Sequence, residues 1–110
     1  MLNETLNKIE TILKSSAQLT VSERDQLQKL YAELRGELDQ LSQTQAEHAE
    51  SIAAFASVAA QESLRKNKNS ELTHLSLQGL KTSIDDFEDS HPKLFTTIQA
   101  IINSLRGLGV

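Results

Sequence analysis

There is no cysteine in this chain, so no disulfide staples it and no thiol can act as nucleophile or metal ligand. Tryptophan is also absent and aromatic residues make up only 4%, which leaves Leu, Ile and Ala to build the core. One proline and four glycines are too few for a many-turned β fold. Positive charge is scarce as well. Eleven Lys and Arg against fifteen Asp and Glu give a net charge of −4 and a pI of about 5.3, the wrong balance for gripping phosphates. No apolar run approaches the roughly 18 residues of a membrane span. The N-terminus, Met1-Leu2-Asn3-Glu4, has neither the basic nor the apolar region of a signal peptide. These absences lead us to expect a cytoplasmic protein with no nucleic acid and no membrane among its partners. No Gly-rich phosphate loop and no Ser, His and carboxylate arrangement stands out, so the expectation is a non-enzyme without a cofactor.

What is present is Leu, Ala, Glu, Gln and Lys in a helical rhythm. The pattern predicts one all-α domain over residues 1–110, an antiparallel helical hairpin or bundle with coiled-coil character around one long central helix. A first helix over about residues 3–16 carries Leu2, Leu6, Ile9 and Leu13 on one face. Thr20 and Glu23 have the spacing of a capping box, in which each side chain satisfies a backbone N–H at the other position. Leu27, Tyr31, Leu34, Leu38 and Leu41 follow at heptad spacing, and the register runs on through Gln45, His48, Ile52, Phe55 and Ala59 with no proline between. We therefore expect one helix over about residues 21–66, roughly 70 Å long, with a bend near Ser42–Gln45 as the alternative. Asn67-Lys68-Asn69-Ser70 reads as a turn, with Ser70 capping a third helix over about 71–88. Leu72 and Leu75 start its stripe, and Leu77, Leu80, Ile84 and Phe87 continue it.

The last quarter holds the only proline. Pro92 fits a first helical turn, where its missing N–H has no partner to lose, with Ser90 or His91 as the cap. Leu94, Ile98, Ile101 and Leu105 form the next stripe, and Gly107 suits a left-handed helix stop, giving a fourth helix over about 92–106. The heptad phase persists across the proline, so the third and fourth helices are expected to be nearly collinear. Phe87-Glu88-Asp89-Ser90-His91-Pro92, an apolar helix, then Leu105-Arg106-Gly107-Leu108-Gly109-Val110 resembles the C-terminal signature of a small bacterial family, the domain of unknown function 4404. The resemblance implies a short, helical bacterial protein and brings with it no activity, ligand or catalytic residue.

Folded antiparallel at about Lys68, the two long segments set Ile52 against Ile84 and Leu38 against Ile98. Gln45 and His48 then meet His91 and Phe87, so Gln45, His48 and His91 are read as a polar layer that fixes register. The first helix is too short to reach the Asn67 end, where Ile52, Phe55, Val58 and Ala59 would face Leu77, Leu80 and Ile84 in a bare pair of helices. Such a surface is expected to be an interface, covered by a second copy in a dimer or by another protein. Glu71/His74 and Glu88/His91 have the Glu-x-x-His spacing of di-iron bundles, but both lie in one segment without facing carboxylates, so no metal site is assigned. The expected function is that of a self-associating interaction or assembly protein. The alternative is a bundle that binds a small molecule or metal through the Gln45, His48 and His91 layer.

Overall fold

In the computed structural model, which describes Leu2 to Leu108, five α-helices and one short 3-10 turn follow one another without a strand among the described residues. Gly109 and Val110 of the C-terminal signature lie outside them. Helix α1 (Leu2–Ser15) buries Leu6, Ile9 and Leu13. Its end is held by the Arg24 guanidinium, which donates to the carbonyl of Leu13 in its last turn, left without a helical partner, and to that of Ser16 just beyond. Helix α2 (Val21–Ser42) starts on the expected capping box: the Thr20 N–H donates to Glu23 Oε1 at 2.9 Å and the Glu23 N–H donates to Thr20 Oγ1 at 3.1 Å.

The long central helix does not form. Helix α2 stops at Ser42 and α3 (Ala46–Ser63) begins four residues later, after Gln45 leaves helical geometry at φ −139° and ψ 64°. Ser42, Gln43, Thr44 and Gln45 are all polar, so a continuous helix would bury nothing at this level. Breaking it lets α3 fold back along α2, where Ala49, Ala53, Ala56 and Ala60 are wholly buried. Alanine permits a close approach of backbones, and the Tyr31 hydroxyl crosses the gap to donate to the Ala56 carbonyl at 3.3 Å. The smooth alanine-rich helix does receive other helices, but they belong to the same chain: α1, α2 and α4 all pack on α3.

Helix α4 (Ser70–Ile84) is capped by Asn69 rather than Ser70. The Asn69 side-chain oxygen accepts from the Leu72 N–H at 3.0 Å, one residue earlier than the sequence reading placed the cap. A 3-10 turn (Asp85–Phe87) leads to α5 (Pro92–Arg106). Pro92 occupies the first turn as expected, but His91 is the cap residue and makes no side-chain capping bond, while Ser90 Oγ lies 3.1 Å from His91 Nδ1 instead. Gly107 is right-handed, at φ −69° and ψ −14°, so the left-handed stop is not used. Nor are α4 and α5 collinear. They pack on one another, and Lys68, Ser70 and Thr73 of the α4 start share a cleft with Leu105 and Arg106 of the α5 end. A helix in an antiparallel bundle shows an inward stripe whichever way it runs, so the shared heptad phase carried no information on direction.

Helices α2, α3, α4 and α5 thus form an up-down-up-down ring, with α1 laid in the groove between α2 and α3. The radius of gyration is 12.9 Å and the longest extent 37 Å. A compact chain of this length is expected near ~13 Å, whereas one 46-residue helix alone would span about 70 Å. In place of the expected extended pair of helices, each long segment is broken and folded back on itself. Levels along it are kept nonetheless: Lys93 reaches Glu37 at 3.7 Å across α5 and α2, and Thr73 Oγ1 donates to the Glu62 carbonyl at 3.3 Å across α4 and α3.

Candidate interaction surface

The ring geometry decides which predicted interface residues can meet anything outside the chain. Ile52, Ala59, Leu77, Leu80 and Ile84 are buried in the chain's own core, covered by α1, α2 and α5, and are not free to form an intermolecular seam. Only Phe55 and Val58 of that set are exposed, at 42% and 46%. They are joined by the two residues that start the expected α4 stripe, Leu72 at 44% and Leu75 at 54%. Counting back from Leu80 and Leu77 by helical steps gives Ser76 and Thr73 as the inward positions, and these are indeed buried. Leu72, Leu75 and Gly79 lie on a second stripe at i, i+3 and i+7, a signal legible in the sequence but merged with the first.

The two stripes adjoin. Phe55 lies on Gly79, where an added β-carbon would stand 2.8 Å from Phe55 Cε1. One helical turn on from Phe55 is Val58, and one turn back from Gly79 is Leu75, so the four large side chains form a strip along the outer seam of α3 and α4. The exposed neighbours Ser51, Ala54 and Gln78 are uncharged, and Glu62 is held by Arg65 at 2.8 Å. An apolar centre depleted of charge is the composition of an interface core rather than of ordinary surface. Among the described residues Val21, at 72%, is the other strongly exposed large apolar residue, and it stands apart at the start of α2.

The profile of a family described as Domain of unknown function (DUF4404) matches residues 32–110, well over half of the chain. The chain belongs to that family. The match begins inside α2 and runs through the whole α3–α4 strip, whereas α1 and the capping box precede it. In this DUF4404 chain the resemblance of the last quarter therefore extends to the alanine-rich α3 and the turn that follows it. No curated protein and no solved structure matches the chain.

The polar-layer residues sit where both halves of the chain turn. Phe87 is buried between His48 and His91, each ring 5.5 Å from it in an edge-to-face arrangement, and His48 Nδ1 lies 3.0 Å from Gln45 Oε1. The level at which both stripes turn polar is thus where both segments reverse. The histidines contact Phe87 and their sequence neighbours, not a shared centre, and His48 is exposed. Glu71/His74 and Glu88 are exposed as well, and among the described residues no three of His, Cys, Asp and Glu are grouped to hold a metal ion. No helix among the described residues is long and apolar enough to cross a membrane.

Proposed function

We propose that this DUF4404 protein is a non-enzymatic interaction module that associates with itself through the Phe55, Val58, Leu72 and Leu75 strip. The observation that carries the reading is the contrast in burial. Among the described residues the other large apolar side chains, Val21 aside, are buried or partly buried against the core, while these four stand wet together on one seam. Covering each is worth about 1.5–3 kcal/mol if complete, and about half of each surface remains to be covered. Four such residues on each of two copies supply enough to offset an association cost of several kcal/mol. Sedimentation equilibrium tests the reading. Wild type is expected to dimerise at micromolar concentration, and Phe55→Glu with Leu75→Glu to be monomeric with unchanged helical circular dichroism. A wild type that stays monomeric at ten times the concentration at which dimers are expected would refute it.

A second reading, binding of a small anionic molecule, draws support from the opposite end of α3. There the Ser63 hydroxyl is buried without a hydrogen-bond partner and lines a cleft with Gln18, Leu64, Arg65, Lys66 and Lys68. Titration with inorganic phosphate, followed by amide shifts of Ser63 and Gln18, distinguishes it: saturable shifts lost in Ser63→Ala would support binding there.

A further inference from the structure

The strip supplies attraction without direction, because its centre is uncharged and an apolar contact is not oriented. Direction has to come from what lies at its two ends. Within the 46–89 segment that carries it, residues 46–54 and 78–89 at one end hold six carboxylates and one lysine. Residues 55–77 at the other end hold three basic side chains and two carboxylates. The two carboxylates of the basic end are Glu62, already held by Arg65, and Glu71 in the first turn of α4, where it meets the positive end of that helix. Lys66 and Lys68 sit in the turn beyond. The other end carries Glu50, Glu47, which like Glu71 stands in a helix's first turn, and the Asp85–Asp89 turn, where Lys81 lies 3.8 Å from Asp85.

We propose that two copies pair side by side along this strip with their bundle axes antiparallel, so that the Lys66–Lys68 turn of each lies against the Glu47 and Asp85–Asp86 end of its partner. The proposal rests on the reading of the strip as a self-association face and adds its geometry. A two-fold axis passing between Val58 and Leu75 makes the arrangement symmetric. Glu47 is eleven residues before Val58, about 16 Å along α3, and in the other direction α3 runs on to Ser63 with the Lys66–Lys68 turn beyond its end, so the two charged ends lie on opposite sides of the axis. A parallel pairing would instead set the carboxylate-rich end beside its own copy, within the Debye length of about 8 Å at physiological salt. The charges of this face are thus complementary to themselves only when one copy is inverted. That self-complementarity selects a second copy as the occupant, as an isologous contact requires.

The absence of cysteine makes the test direct, because every introduced thiol is the only one in its chain. Lys68→Cys, Glu47→Cys and Val58→Cys are prepared singly, checked for association by sedimentation, and treated with a short bis-maleimide. Within one chain position 47 is about 24 Å from the α3 end at Ser63, and position 68 lies in the turn beyond that end, out of reach of such a reagent. The expected result is a cross-linked dimer from the mixture of Lys68→Cys with Glu47→Cys, none from either alone, and one from Val58→Cys alone at the axis. Dimers from Lys68→Cys alone or Glu47→Cys alone would show a parallel pair and overturn the proposal. Cross-linking of the mixture without any from Val58→Cys would show end-to-end stacking and overturn it equally. A wild type that sediments as a monomer would take away the strip reading itself, which the orientation outcomes leave standing.

Discussion

Tyr31 is the chain's only tyrosine, so its phenol can be followed spectroscopically without interference. It is 4% exposed in the α2–α3 interface, and burial pushes its pKa above the ordinary value because the phenolate would lose its water. The unfolded chain releases this proton near pH ~10, while the folded chain retains it to higher pH. Between those values the unfolded state binds fewer protons, so stability is full below about pH 10 and falls as pH rises, by at most about 1.4 kcal/mol per unit for one group. Tyr31→Phe removes that dependence but also the 3.3 Å bond to the Ala56 carbonyl. A neutral hydrogen bond is worth about 0.5–1.5 kcal/mol. This one is long, and its acceptor sits within α3, where it also takes the ordinary helical bond, so the low end applies. The variant is therefore expected to be slightly less stable at pH 7 and to overtake wild type within about one unit above pH 10. Urea unfolding at a series of pH values gives the two curves, and near-ultraviolet tyrosinate absorbance gives the titration. Tyrosinate forming with an ordinary midpoint near 10 while the helical circular dichroism is intact would refute the buried position of Tyr31 and the α2–α3 packing with it.

Two comparisons in urea test other parts of the fold. Gly36 has nothing within 4 Å of an added β-carbon, so Gly36→Ala should stabilise by about 1 kcal/mol through helix propensity alone. Gly79→Ala has the same propensity term but must swing the half-exposed Phe55 ring aside, so its gain should be smaller; equal gains would mean that Phe55 does not lie on Gly79. Ala56→Leu, at a wholly buried position facing α2, should destabilise by about 1–3 kcal/mol through overpacking. An unchanged midpoint would mean that α2 and α3 are not in close contact there.

Much of the local structure was legible. The Thr20–Glu23 capping box, Pro92 in a first turn and the inward stripes of α1, α2 and α5 depend on residues within four positions of one another, which is the range over which helical geometry acts. Cap identities were less secure. Asn69 and Ser70 both offer a suitable oxygen, and which one is used depends on a backbone torsion that composition does not reveal. The strip was half legible: Phe55 and Val58 were named, but for a contact that would also have used Ile52 and Ile84. Leu72 and Leu75 share one expected stripe with Leu77, Leu80 and Ile84, because a stripe shows which residues share a face and not whether anything covers it.

Local periodicity and equal segment lengths are enough for an all-helical chain, its stripes, and the level shared by Gln45, His48, Phe87 and His91. That both segments turn back at this level follows from packing and not from local pattern. Polar residues at 42–45 and 88–91 are compatible with a solvated straight helix or with a loop. The choice falls to the burial won when α3 and α4 close on α2 and α5, a sum over side chains far apart in sequence. That closure took Ile52, Leu80 and Ile84 out of reach of any partner and left Phe55, Val58, Leu72 and Leu75 outside, because a ring of four helices with α1 in one groove covers the outer seam of α2 and α3 but not that of α3 and α4.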